Sequence, residues 1–271
     1  MFLCLLDIEW RKLLRHPLMW LELAGLIGIL TAYFAVRYAL ISSSAQHGVP
    51  DTRSLAVDLQ GGLELFSFMS VAFYAAGAAL IVGYDFPERG VQAWLARGVP
   101  RQLLIAARLV MVLLLGLLLV TAAAFASLAA AALASRLFLG SLTPDIAWSR
   151  VFATILHMFW GAVPYLAMTL LLAVISRSPL FAASGAVVFR TVLEILLLNL
   201  SDRFPDLVRL LPTQLAFVLQ LDTYALERAS QAMAPVQALL TEQQAAMMIA
   251  GLLLLFTAAA ALTFSRQDWG G

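Results

Sequence analysis

Lysine is almost missing from this chain: Lys12 is the only one among 271 residues. A phosphate-binding loop requires Gly-x-x-x-x-Gly-Lys followed by Ser or Thr, because the lysine reaches the terminal phosphates while backbone amides cradle the others. No glycine precedes Lys12, so the sequence carries no such loop of its own. Cysteine is as scarce, and Cys4 alone cannot make an intrachain disulfide. The three histidines, His16, His47 and His157, stand apart and none belongs to a His-Glu-x-x-His pattern, which argues against a metalloprotease. A rhomboid-like serine protease would need a glycine where Ala182 precedes Ala183-Ser184-Gly185, and a histidine on a later span, yet none follows His157. Charge is thin as well, at 12% of residues with a net of +1, which leaves no basic surface for nucleic acid.

Apolar residues fill the space that charge vacates. They make up 62% of the chain, and the mean hydropathy is +0.91. Soluble domains average about 45–50% apolar and about 25% charged. The apolar runs are long enough for helices crossing a hydrocarbon core of roughly 30 Å, and too long for the roughly ten-residue alternating strands of a barrel. Helices also satisfy their own backbone in lipid, so the expected fold is an all-α membrane protein. Six transmembrane helices are predicted at Pro17–Ile41, Leu63–Tyr84, Leu103–Ala134, Val151–Ile175, Leu180–Leu200 and Ala245–Phe264. The third exceeds what a bilayer needs, so it tilts or begins in the cytosol. The opening MFLCLL, followed at once by Asp7 and Glu9, does not read as a cleavable signal, so the first span is expected to remain.

Short basic flanks resist translocation, which predicts cytosolic termini and a location in the cytoplasmic (inner) membrane. On that side, counting loops and adjoining span ends, stand nine basic and five acidic residues; the opposite loops and span ends hold seven arginines against nine acids. The first side is net positive and the other net negative, while the count of basic residues alone barely separates them.

Ahead of the first span, LLDIEWRKLLRHPLMW alternates apolar and charged residues at helical spacing. Leu6, Trp10, Leu13 and Leu14 can share a face, while Asp7, Arg11, Lys12 and Arg15 spread over another, which predicts an interfacial helix in contact with membrane lipids. A charged leader that only sets orientation is the plainer alternative. His16 and Pro17 end the segment.

Between the second and third spans lies YDFPERGVQAWLARGVPRQLL, with Asp85, Glu88, Arg89, Gly90, Arg97 and Arg101 around an apolar knob of Val91, Trp94 and Leu95. The spacing predicts a short helix starting near Pro87 and stopped by Gly98 and Pro100. Its knob can fill a cleft on a soluble partner while the arginines meet carboxylates. It can equally sink into the headgroup layer with the arginines on lipid phosphate.

Charge within the spans is the remaining signal. Arg190 and Glu194 are spaced i,i+4 in the fifth span, so they share a helix face and can pair. Such charges face a bundle interior or an aqueous cavity, as a structural lock or as the lining of a route. Asn199 extends that polar face. Glu22, one turn into the first span, is expected to meet an arginine or the cytosolic interface. Ala122, Ala126, Ala130 and Ala134 form a small-residue stripe suited to intramolecular packing. Pro164 predicts a kink, His157 a polar contact within the bundle, and Leu207–Leu221, interrupted by Arg209, Pro212 and Gln214, a short re-entrant or interfacial helix.

In order, Glu9-Trp-Arg-Lys-Leu-Leu-Arg-His-Pro17, six spans, a loop with Glu88-Arg89-Gly90 and Gly98-Val-Pro-Arg101, and Leu211-Pro212 before the last span resemble the permease subunits of ABC-2 type transporters. The resemblance covers the whole chain, and Pro87 is a departure from the family pattern. It implies one transmembrane domain over 1–271, with an elbow at 1–16 (Glu9, Trp10, Arg11, Lys12, Arg15), a coupling helix in the cytosolic loop 85–102 and an external connection at 201–244. It further implies an exporter of hydrophobic or amphipathic cargo that is not itself an enzyme. Its coupling residues, Asp85 to Arg101, would dock on an ATP-binding subunit that holds ATP and magnesium, none being held in this chain. A second permease copy, identical or related, would complete a pathway gated near Arg190, Glu194, Asn199 and Pro212. An ATP-independent transporter or an assembly scaffold is the alternative.

Overall fold

A computed structural model describes residues 2–45, 55–83, 90–139, 146–200, 203–221 and 240–267, all in helices or short connections. Helix α1 spans Phe2–Arg15 and α2 Pro17–Ala45. The break between them is local chemistry: Pro17 takes the first helical position of α2, and His16 Nδ1 accepts from the Leu18 N–H at 3.3 Å. Then follow α3 (Leu55–Gly83), α4 (Gly90–Ala96), α5 (Arg101–Leu139) and α6 (Trp148–Ser176). The fifth span is composite, with α7 (Pro179–Val188), a π-helical turn (Phe189–Glu194) and α8 (Ile195–Asn199). Two short helices, α9 (Pro205–Arg209) and α10 (Pro212–Leu221), precede α11 (Glu242–Arg266).

Six of these segments are long and apolar enough to cross a bilayer: Pro17–Ser43, Asp58–Val82, Arg101–Phe138, Trp148–Ser176, Pro179–Asn199 and Glu242–Arg266. The chain is a multi-pass membrane protein, with each span where its apolar run predicts. At 39 residues α5 measures roughly 58 Å, about twice the hydrocarbon core. It is the spine of the bundle, packing against α1, α2, α3, α6 and α11. Helix α6 is the second hub, meeting α3, α5, α7, α10 and α11.

Small residues let these helices approach. Ala130 and Ala134 are buried against Phe34, Tyr38 and Leu55, so the alanine stripe is an intramolecular seam, as its spacing suggests. A Cβ on Gly62 would come within 2.7 Å of Ser127 Cβ and 3.0 Å of Phe34, so α2, α3 and α5 meet closely only because Gly62 has none. The connection from α6 to the fifth span takes two residues. Arg177 adopts a left-handed conformation (φ 54°) and its N–H caps Ala173 O at 2.9 Å; Ser178 then caps α7, with Pro179 at its first position. Helix α6 continues through Pro164.

Candidate functional site

The polar centre of the bundle is built on the π-helical turn. Widening the helix to i→i+5 bonding inserts an extra residue, a feature that recurs where function needs a side chain re-aimed. Here it carries both Arg190 and Glu194. The guanidinium Nη1 lies 3.2 Å from Glu194 Oε2, so the pair read from the i,i+4 spacing forms. The two partners differ in environment: Glu194 is wholly buried, whereas Arg190 is partly open.

One arginine does not satisfy a buried carboxylate, and two other helices complete the task. From α6, the Tyr165 hydroxyl lies 2.8 and 2.9 Å from the two carboxylate oxygens. From the first turn of α10, the Thr213 hydroxyl donates to Oε2 and also lies 2.8 Å from the Tyr165 hydroxyl. Pro212 is buried as the first residue of α10, and its fixed φ suits the start of a helix. The positive end of the α10 dipole therefore points toward the carboxylate. Three helices converge on one acid.

Beside this cluster is a cavity of about 240 Å³ between α3, α6, α10 and the π-helical turn. Its polar lining comes from Ser67, Ser70, Tyr74, Tyr165, Arg190 and Thr213. Gly161 forms part of its wall, and a Cβ there would come within 2.7 Å of Ala216 Cβ, so α10 crosses α6 at a glycine. The stretch expected to be re-entrant or interfacial is thus two helices broken at Leu210–Leu211. The second, α10, lies between α6 and α11 with Gln214 and Leu215 buried, and reaches the level of Glu194. Asn199 does not join the site: it sits on the exposed side of α8.

A second buried polar cluster ties α2 to α3. Asp58 accepts a hydrogen bond from the Tyr38 hydroxyl and lies 3.3 Å from Arg37 Nη2. Arg37 also reaches the Tyr33 hydroxyl at 3.2 Å and stacks over its ring. Asp58 and Tyr38 are buried. Sequence inspection passes over this cluster because Asp58 precedes the apolar run of the second span. The signal that could have found it is a base near the end of one span and an acid near the start of the next, Arg37 and Asp58.

The loop helix α4 differs from its expected presentation. Val91 is buried in the bundle's own core, and Trp94 and Leu95 pack partly against that core. The apolar knob turns inward because the nearest hydrophobic surface is its own bundle. What remains exposed is Ala93, Ala96 and Arg97, whose guanidinium stacks 5.6 Å above the Trp94 ring. Gly98 in a left-handed conformation (φ 75°) and Pro100 stop the helix as expected. Asp85, Glu88 and Arg89 lie outside the described residues, as does the Gly90 environment. Arg101 is engaged internally, donating from Nη1 to Ser265 O at 2.6 Å and to Gln267 O at 3.3 Å at the end of α11. Gln267 in turn donates to Val174 O of α6 at 2.8 Å.

Helix α1 buries Leu5, Glu9 and Leu13, a stripe rotated from the expected face: Glu9 is inside and Leu14 is exposed. Trp10 is half-buried, while Arg11, paired with Asp7 at 3.0 Å, Lys12 and Arg15 are exposed. His157 meets Glu242 of α11 at 3.2 Å, the polar contact within the bundle that its isolation suggested. No protein-family model and no curated protein matches the chain.

Proposed function

We propose that this protein is the membrane subunit of an ATP-driven exporter of the ABC-2 type, working as a pair of six-helix permeases with a separate ATP-binding subunit in a cytoplasmic membrane. The observation that carries the reading is the mechanical linkage of α4. Val91 anchors this helix in the bundle, and Gly98 and Pro100 join it directly to α5. Arg101 then ties the start of α5 to the end of α11, and Gln267 ties that end to α6. A push on the exposed side of α4 thereby reaches three spans through short, directional contacts. That is the property required of a coupling helix that converts closure of a soluble motor into helix tilting. The exposed basic face of α1 suits an elbow lying among lipid headgroups.

On this reading the α6–α10–π-turn junction is the gate. Tilting α6 relative to α10 would pull Tyr165 and Thr213 from Glu194, so the closed state is held by hydrogen bonds made only when the helices are together. A six-helix chain encloses little space, so the route lies between two copies. The buried acid beside a polar cavity also favours a second reading, an ATP-independent, ion-coupled transporter in which Glu194 exchanges its partners. Purification of the tagged chain from its host in mild detergent separates the two. The first reading expects an ATP-binding subunit to co-purify and to be lost in the Ala96→Glu/Arg97→Glu variant, which changes exposed residues. A preparation with no such subunit, repeated after crosslinking in intact membranes, would favour the second.

A further inference from the structure

Glu22 is a carboxylate that no side-chain donor meets among the described residues. Both of its oxygens are shielded from solvent, the arginine contact expected from its position is not made, and the donor that approaches it is the Gly77 N–H of α3. Its carboxylate lies against α3 at Gly77, where a Cβ would approach Oε2 to 3.1 Å; glycine leaves the room in which the carboxylate sits. The Gly77 N–H belongs to the hydrogen-bond ladder of α3. A buried, unsatisfied acid of this kind is costly to maintain and marks a place where a donor is missing.

Glu22 also lines a groove of about 380 Å³ between α2 and α3, walled by Leu18, Leu21, Gly25, Phe73, Ala76 and Leu80, its carboxylate set behind the groove wall so that a ligand must part the side chains to reach it. That volume lies within the range of roughly 300–1,000 Å³ typical of ligand pockets, which combine apolar walls with a few polar anchors. None of the lining residues is basic. We infer that this groove binds an amphipathic amine, its protonated nitrogen on Glu22 and its apolar body between α2 and α3. A primary amine supplies both the positive charge and the N–H donors that the carboxylate lacks. A zwitterionic lipid headgroup fits less well, since its phosphate would be carried in beside Glu22 with no cation in the groove to receive it. The site does not depend on the export reading, although within it the groove would admit amine-bearing cargo from the lipid. Binding is therefore measured on the purified chain alone.

The probe is dodecylamine carrying a mid-chain diazirine, photolysed on the full chain in nanodiscs and mapped by mass spectrometry. Labelling is expected on peptides containing Leu18–Gly25 and Ala72–Leu80, displaced by dodecylamine and not by dodecanol or phosphatidylethanolamine. Glu22→Gln, which keeps the shape and removes the charge, should lower labelling about tenfold or more. Gly25→Leu provides a second check, because a Cβ at Gly25 meets nothing within 4 Å and a longer side chain there narrows the groove while leaving the charge of Glu22 in place. It too should abolish labelling. Equal labelling of the wild type and both variants, or equal displacement by dodecanol, overturns the assignment. Displacement by phosphatidylethanolamine as effective as by dodecylamine would hand the groove to lipid. Protection of the same peptides by a second copy of the chain in a crosslinked dimer would make it an interface, and in either case the amine site is refuted.

Discussion

Tyr165 on α6 holds both carboxylate oxygens of Glu194, at 2.8 and 2.9 Å, across 29 residues of sequence. This contact, with Thr213 and Arg190, makes the buried acid a junction between three helices instead of a local ion pair. The junction lies beside the polar cavity, so the groups that stabilise the bundle there are also the groups a moving gate must release.

Breaking that junction has a sign and a size. Arg190→Ala leaves Glu194 buried without its cation, a change that costs about 3–5 kcal/mol for buried pairs. Here the lower end is expected, about 3 kcal/mol, because Tyr165 and Thr213 still donate. Tyr165→Phe should cost about 1–3 kcal/mol by removing a donor. Arg190→Ala and Glu194→Ala combined should cost less than their sum, since removing both leaves no unpaired charge. Thermal unfolding in detergent reads all three values. Transport that survives both single changes and the double change, at unchanged protein level, would remove this junction from the pathway.

Asp58 makes the same argument on the other cluster. Asp58→Ala removes the acceptor that Arg37 and the Tyr38 hydroxyl share, leaving Arg37 on Tyr33, and about 3 kcal/mol of destabilisation is expected. Asp58→Leu with Arg37→Leu should recover most of that loss, because an apolar pair of similar volume is often as stable as a buried ion pair. A double variant as unstable as Asp58→Ala would show that Tyr38 or the packing of α2 on α3, not the charge, is the source of stability.

The spans and several local signals were legible from sequence because they depend on neighbouring residues. Apolar runs placed the six helices, Gly98 and Pro100 ended α4, Pro17 divided α1 from α2, and i,i+4 spacing paired Arg190 with Glu194. Contacts set by tertiary packing were not legible. Thr213 lies 19 residues from Glu194 on a separate helix, and nothing periodic joins them. The π-helical turn leaves no mark in the pattern. The orientation of α4 was missed for the same reason: its spacing identified an apolar face but not the surface that Val91 would bury against. The polarity of Asn199 suggests that it continues the polar face of Glu194, and in the single chain it lies exposed on α8, apart from the Tyr165–Thr213–Glu194 cluster.

Arg101 supplies a test of the linkage. Arg101→Ala removes the donors at Ser265 O and Gln267 O, so the last turn of α11 loses its cap. Hydrogen exchange of amides at the end of α11 and around Val174 should accelerate, while exchange in the middle of α5 stays slow. On the export reading, ATPase activity of the assembled complex should become insensitive to cargo. Unchanged exchange at the end of α11 would mean that the tether transmits nothing.

Gly161 tests the crossing that brings α10 to the site. Gly161→Ala places a methyl 2.7 Å from Ala216 Cβ and 3.3 Å from its Cα, closer than two helices can tolerate without moving. The expected cost is about 1–3 kcal/mol, typical of overpacking. More telling is its direction: α10 must shift from α6, which carries Thr213 away from Glu194 and loosens the junction without altering any polar group. Gly161→Ala and Thr213→Val should therefore be less than additive in unfolding free energy, because the first already weakens the bond that the second deletes. Fully additive losses would separate the helix crossing from the Glu194 cluster, and α10 would then be packing material instead of the gate's moving part.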